Sequence, residues 1–287
     1  MNPFVSVIVP IYNAAPFLKE TLDSIIASTY RPIEIVMVDD GSKDDSLNIA
    51  QDYCTNHPEC TVIAQANQGV SAARNKAIRN AKGTYILPVD ADDKIADTFI
   101  QKAVKVIENN DGIRVVGCRC WMFGAENKEW KLPEFSHALL ARKNMIPATA
   151  LYRKADWERC GGYCEEEIYR EDWDFWLSMM ELGGTFYKLD EILFYYRISA
   201  KSRRSLAKGK KKRIVDAINH RHPAYMQKYL GGPLHYHRSW SRFINFFRSE
   251  TILGNYVNWD EGEIIYAKRN ILRNSNGFIS KQFTTPS

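Results

Sequence analysis

No run of about 18 apolar residues occurs anywhere in the 287-residue chain, so a membrane-crossing helix is not expected. The first residues, Met-Asn-Pro-Phe-Val-Ser-Val-Ile-Val-Pro, lack the basic stretch and small-residue cleavage site of an export signal. A soluble cytoplasmic protein, at most peripheral on the inner face of the plasma membrane, is the expectation. The six cysteines (Cys54, Cys60, Cys118, Cys120, Cys160 and Cys164) are then expected as reduced thiols. Their C-x5-C, C-x-C and C-x3-C spacings never supply the C-x2-C pairs of a structural zinc site. Also missing are G-x-G-x-x-G and G-x-x-x-x-G-K-[ST], which a dehydrogenase and a P-loop enzyme would need. A nucleotidyltransferase is expected to carry a glycine-rich loop after its first strand, and Pro10-Ile11-Tyr12-Asn13-Ala14 is not one. No internal repeat is found.

The composition, 45% apolar, 25% charged and 12% aromatic, is that of a folded globular protein with one large domain or two smaller ones. Its net charge of +5 is unevenly spread. Residues 201–248 hold 13 Lys and Arg against one acid, Asp216, a local charge of +12, which leaves −7 for the remainder. An acidic body is thus followed by a basic segment. Within it Ser202–Arg213 reads as a low-complexity linker, and Trp240, Phe243, Ile244 and Phe247 fall on one helical face with Arg238, Arg242 and Asn245 largely off it. Aromatics opposite cations suit an anionic membrane surface. The same face could equally dock on the body with the lysines solvated, and nucleic acid is disfavoured because no binding motif accompanies the charge.

Along the first 95 residues, β-branched runs alternate with helical periodicity. Phe4–Pro10, Ile33–Val38, Thr61–Ala66 and Thr84–Val89 read as strands. Phe17–Ile26, the stretch from Leu47 to Tyr53 and Val70–Ala81 read as helices, the second with an N-cap offered by Ser42-Lys43-Asp44-Asp45. Such alternation predicts βαβ units and a mostly parallel, Rossmann-like sheet flanked by helices. After residue 110 shorter strands are expected at Arg114–Cys118, Thr149–Tyr152, Thr185–Lys188 and Ile192–Arg197, with a helix from Asp172 to Leu182.

In such a sheet, ligands bind at the carboxyl edge of the strands, and the acids gather there. Asp39 and Asp40 follow the second strand, and Asp90, Asp92 and Asp93 the fourth. Adjacent carboxylates are unfavourable unless a cation or hydrogen-bond donors neutralise them, which suits Mg²⁺ or Mn²⁺ shared with a phosphate. A solvated turn in which Asp93 or Asp97 caps the next helix is the competing reading of this run.

Five motifs in order decide between them: Ser-Val-Ile-Val-Pro-Ile-Tyr-Asn (6–13), Val-Asp-Asp-Gly-Ser (38–42), Gly-Val-Ser-Ala-Ala-Arg-Asn (69–75), Gly-Thr-Tyr-Ile-Leu-Pro-Val-Asp-Ala-Asp-Asp (83–93) and Arg-Glu-Asp-Trp-Asp-Phe-Trp-Leu (170–177). Together they resemble the family 2 glycosyltransferases, inverting enzymes of the A-type nucleotide-sugar fold, over about residues 4–200. The resemblance implies that residues 1–200 form the catalytic domain, with a nucleotide-binding half (1–95) and an acceptor-binding half (96–200). The basic, aromatic-rich residues 201–287 would be a helical C-terminal extension.

The resemblance also implies roles. Pro10, Tyr12 and Asn13 would line the nucleotide pocket, with Tyr12 beside the base and Asp40 or Asp39 accepting the base N3 hydrogen. Arg74 would face the donor, Asp90 would lie near the ribose, and Asp92, with Asp90, would hold Mn²⁺ or Mg²⁺ on the diphosphate. Asp172 would be the general base, with Glu171 as the fallback. The implied activity moves a sugar from a nucleotide-sugar donor, a UDP-sugar by this reading, to a saccharide or lipid-linked saccharide acceptor in surface polysaccharide synthesis. A non-catalytic membrane- or nucleic-acid-binding protein on a degenerate transferase fold is the alternative. One departure concerns the metal: many relatives read Tyr-Arg-x-His where this chain has Tyr196-Arg197-Ile198-Ser199, so ligands beyond Asp92 are left open. Arg197 and Lys201 are then either diphosphate contacts or solvated cations.

Overall fold

Strand and helix alternate through the first half in the order the periodicity predicts. In a computed structural model that describes residues 2–166, 170–198, 210–235 and the backbone of 236 and 256–257, β1 (Val5–Ile11), α1 (Leu18–Ile26), β2 (Ile33–Asp39), α2 (Ser46–Asn56), β3 (Cys60–Ala64), α3 (Val70–Asn80) and β4 (Tyr85–Pro88) follow one another. The four strands are parallel in the order β3-β2-β1-β4. Every residue of β1 is buried, as a strand covered on both faces must be. Alternate residues serve opposite cores: Val5, Val7, Val9 and Ile11 pack with α1, whereas Ile8, Val36, Val38 and Ile86 pack with Ala73, Ala77 and Ile78 of α3.

The second half comprises β5 (Lys94–Ile95), α4 (Phe99–Glu108), β6 (Ile113–Gly124), β7 (Lys128–Trp130), α5 (His137–Leu140), β8 (Leu151–Arg153), α6 (Lys154–Cys160), α7 (Glu171–Glu181) and β9 (Thr185–Ile198). It extends the sheet as β4-β8-β6-β9-β5, with β8 antiparallel to both neighbours and β9 parallel to β6. Here the strands are longer than their sequence runs suggest. Thr185–Lys188 and Ile192–Arg197 are one strand, because the ladder bulges out Asp190 and Glu191 and resumes: Cys118 faces Leu189 and Arg119 faces Ile192. Charged residues that break the alternation in sequence are accommodated at that bulge.

α8 (Lys211–Arg221) and α9 (Pro223–Leu230) follow. Ile214, Val215, Ile218, Tyr225 and Met226 join the core that α7 fills with Trp173, Phe175, Trp176 and Leu177. The expected linker Ser202–Arg213 is therefore helical from Lys211, because the apolar residues that follow recur at helix spacing and give α8 a face to bury. The helical face expected over Trp240–Phe247, and Lys201, lie outside the described residues. Among the described residues, no helix is long and apolar enough to cross a membrane.

Candidate active site

The order β3-β2-β1-β4 brings the carboxyl ends of β1, β2 and β4 side by side, and the loops leaving them are tied together. Asp40 N–H donates to Ile11 O (2.8 Å). Asn13, left-handed at φ 51°, donates its N–H to Ser42 Oγ (3.0 Å) and accepts Lys43 N–H on Oδ1 (2.7 Å). Asn13 thus clasps the β1–α1 loop to the β2–α2 loop. Pro10 is buried within β1, opposite Val38. Tyr12, two residues on, is 49% exposed, one of only two large apolar side chains so placed among the described residues.

Asp39 and Asp40 are both buried yet differently used. Asp40 accepts three hydrogen bonds at 2.8 Å, from Gln65 Nε2 and Gln68 N–H on Oδ1 and from Gly69 N–H on Oδ2. Gly69 is the N-cap residue of α3, so this carboxylate satisfies amides at a helix start, where the dipole favours negative charge. Asp39 Oδ2 accepts Ser42 N–H (3.1 Å), while its Oδ1 is buried with no hydrogen-bond partner. An orphaned carboxylate oxygen is costly unless a ligand donor completes it.

Arg74 of α3 joins the end of β4 to the start of α7. Its Nη2 is 2.7 Å from Asp90 Oδ1, its Nη1 is 3.5 Å from Glu171 Oε1, and its guanidinium lies 5.3 Å from the centre of the Tyr163 ring. Asp92 is pushed up to about 6, by burial first and then by the charge of Asp90. Asp93 is buried, accepts Arg197 N–H (2.7 Å) and is also raised well above the usual carboxylate range, again chiefly by burial. Arg197 donates from Nε to Asp92 O (2.8 Å), bonds Glu20 through Nη2, and sits between the Phe17 and Phe123 rings (4.5 and 4.3 Å). Its guanidinium buttresses the acidic turn instead of standing free in solvent.

At the start of α7, Asp172 is pushed up to about 6, by burial and then by Glu171, against the lowering effect of Arg170 and Arg74. Asn144 donates from Nδ2 to Asp172 Oδ2 (2.6 Å), and Trp173 N–H donates to Oδ1 (2.9 Å). Trp173 Nε1 in turn bonds Leu140 O (2.7 Å). Two residues on, the wholly buried Asp174 is held by Arg221 Nε (2.6 Å) and His222 Nε2 (3.0 Å). Asn144, Arg221 and His222 carry no motif signal. Asn144 meets Asp172, and Arg221 and His222 meet Asp174, because the α5–β8 loop and the C-terminal helices pack on α7. A cavity of about 530 Å³ bounded by Arg159, Ser178, His220 and His222 lies along α7 and includes none of the acids at the strand ends.

The carboxylates that could hold a metal are Asp90 and Asp92. Asp90 Oδ1 is shared with Arg74, and among the described residues no group of three or more His, Cys, Asp or Glu gathers as a metal cage. A two-carboxylate set fits Mg²⁺ or Mn²⁺ of the kind that completes its shell with phosphate and water.

A mixed α/β sheet with its acids at the carboxyl edge defines the A-type nucleotide-sugar transferase fold, and solved structures share it. Staphylococcus aureus TarS 1–349 in complex with UDP-GlcNAc superposes with a TM-score of 0.66 at 22% identity, covering 79% of this chain and 70% of that one. The mannosyltransferase PcManGT from Pyrobaculum calidifontis, in complex with GDP-Man and Mn²⁺, gives 0.64 at 20% identity over 80% and 69%. The profile of glycosyl transferase family 2 matches residues 6–174, and the chain belongs to that family. The uncharacterized glycosyltransferase EpsJ of Bacillus subtilis strain 168 is 35% identical over 213 residues, 69% of this chain and 62% of EpsJ. The match therefore spans less than two thirds of that relative.

Proposed function

We propose that the chain transfers a sugar, with inversion, from a uridine-diphosphate donor to a hydroxyl of a saccharide or lipid-linked saccharide acceptor. The observation that carries this reading is the division of labour among the acids. Asp39, whose backbone pairs with Ile11 one residue before the exposed Tyr12, has a buried, unpartnered oxygen, while Asp172 is held at the other end of the Asp90–Arg74–Glu171 chain of contacts. A uracil imide needs an acceptor and a flat aromatic face, and Asp39 with Tyr12 offers both. Asp40, its oxygens committed to Gln65, Gln68 and Gly69, supports the loop. The TarS complex with UDP-GlcNAc supports a uridine donor; the GDP-Man complex shows that the same fold also takes guanosine.

In this mechanism Asp172 takes the proton from the acceptor hydroxyl, whose oxygen attacks the anomeric carbon from the face opposite the diphosphate. The carbon–oxygen bond to the diphosphate breaks, and its electron pair leaves with the UDP. One positioned base is worth about 10²- to 10⁴-fold in rate. Mn²⁺ or Mg²⁺ on Asp92 and Asp90, when bound, stabilises the charge that develops on the leaving diphosphate. Arg74, fixed between Asp90 and Glu171, keeps a positive charge facing the donor, and its own ionisation is raised by Asp90 despite burial. Residues 1–95 serve the nucleotide and 96–200 the acceptor. The basic residues from 201 onward would bring the enzyme to an anionic inner leaflet, where a lipid-linked acceptor is presented. Lys211, Lys212 and Arg213 at the start of α8, whose apolar side is docked, support that orientation.

Calorimetric titration of UDP tests the site. Affinity is expected to tighten with Mn²⁺ or Mg²⁺ and to lose that gain with EDTA or in Asp92→Ala. Equal affinity under all these conditions removes the metal from the reading.

A further inference from the structure

A carboxylate that accepts a proton during turnover needs its lone pair aimed and its charged form maintained, and both needs trace to one residue outside the motifs. Asn144 lies in the loop between α5 and β8, beside the buried Met145 and Ile146. Its Oδ1 accepts Ile146 N–H (3.2 Å), which fixes the amide so that Nδ2 faces Asp172. The resulting bond to Asp172 Oδ2 is 2.6 Å, the length of a charge-assisted contact. Trp173 N–H holds the other oxygen. With both oxygens engaged, the carboxylate has one rotamer, and its remaining lone pairs are left for the incoming hydroxyl.

We propose that Asn144 is a positioning residue for the reaction: it orients Asp172 and keeps it ionised by donating to Oδ2. The inference rests on Asp172 being the general base. The other groups acting on Asp172 are Glu171 and Arg170 beside it on the chain, Arg74 from α3, and Tyr163 from the segment between α6 and α7. The two arginines and the Trp173 N–H favour the carboxylate, and they oppose burial and the Glu171 charge. Removing the Asn144 donor therefore shifts the balance toward the protonated acid. A hydrogen bond to a charged group is of a strength that corresponds to about one to two pH units.

The test follows the kcat of donor hydrolysis against pH, with the UDP-sugar that the wild-type protein turns over, in Asn144→Ala and Asn144→Asp. UDP affinity with Mn²⁺ is measured alongside, because a fold defect would move it and a positioning role does not. The expected result is an acid limb displaced upward by about one to two units in Asn144→Ala and further in Asn144→Asp, where two carboxyl groups share one proton. The donor KM should stay within about twofold, since only the charged state of the base changes. An acid limb that stays at the wild-type position in either variant, with UDP affinity intact, overturns the proposal. Asp172→Asn separates the two levels: if it retains near-normal kcat, the base assignment itself fails, whereas loss of kcat there with unmoved limbs in the Asn144 variants refutes only the role of Asn144.

Discussion

Replacing Asp40 by asparagine should destabilise the fold more than it weakens nucleotide binding, and replacing Asp39 should do the reverse. Asp40 accepts from Gln65 Nε2, Gln68 N–H and Gly69 N–H. An asparagine must turn its NH₂ toward at least one of these donors. One charged hydrogen bond is then lost, about 1.5–3 kcal/mol, and two drop from charged to neutral strength at about 1 kcal/mol each. The total of about 3–5 kcal/mol corresponds to a melting temperature lower by at least about 6 °C for a chain of this size. The Asp39 carboxylate has a single protein partner, Ser42 N–H. Asp39→Asn should cost about 1 kcal/mol of stability or less, but its amide leaves a donor facing either Ser42 or the uracil imide. UDP affinity should fall about tenfold to a hundredfold. Thermal unfolding and UDP calorimetry on both variants read the two effects separately. An Asp40→Asn protein that melts with the wild type yet loses UDP would reverse these roles and make Asp40 the base reader.

Asp172→Asn should lower kcat by about 10² or more with UDP affinity unchanged; near-normal turnover would move the base to Glu171. Because Asp172 is raised to about 6, wild-type kcat should fall as pH drops through about 6, and a profile flat down to pH 5 would contradict the assignment. The clamp on Asp174 predicts a stability slope. Burial alone would lower His222, but its hydrogen bonds to Asp174 and Glu181 raise it, so its contribution is full below about 6.5 and is lost as pH rises through the raised value. Hydrogen bonds to His222 and Arg221 outweigh burial and lower Asp174, whose contribution is present above about 4 and lost as pH falls through the lowered value. Denaturant unfolding of His222→Gln should lose the alkaline part of that slope; an unchanged slope would show that the imidazole stays neutral.

The parallel half was legible because β1, β2 and β4 are buried on both faces and read as apolar, β-branched runs, with Asp39 and Asp90 marking where two of them end. The second half was less so. Asp190 and Glu191 hide the continuity of β9, and antiparallel β8 is only three residues long. Asn13 and Asp40 were placed at the site by their motifs, but their main hydrogen bonds are structural, a distinction that only the partners of each oxygen reveal. Asn144, Arg221 and His222 act through tertiary contacts 28, 47 and 48 positions away, and no local pattern encodes such a meeting.

Inverting sugar transfer from a nucleotide donor at this site can be followed by proton NMR of a panel of α-linked UDP-sugars incubated with the protein and Mn²⁺. Water can serve as the acceptor, so no acceptor need be known. At least one donor should be consumed, the first sugar released should be the β anomer before mutarotation, and Asp172→Asn should abolish its release. Release of the α anomer first, or no consumption of any UDP-sugar by a protein that binds UDP, would exclude inverting transfer from a UDP-sugar at this site.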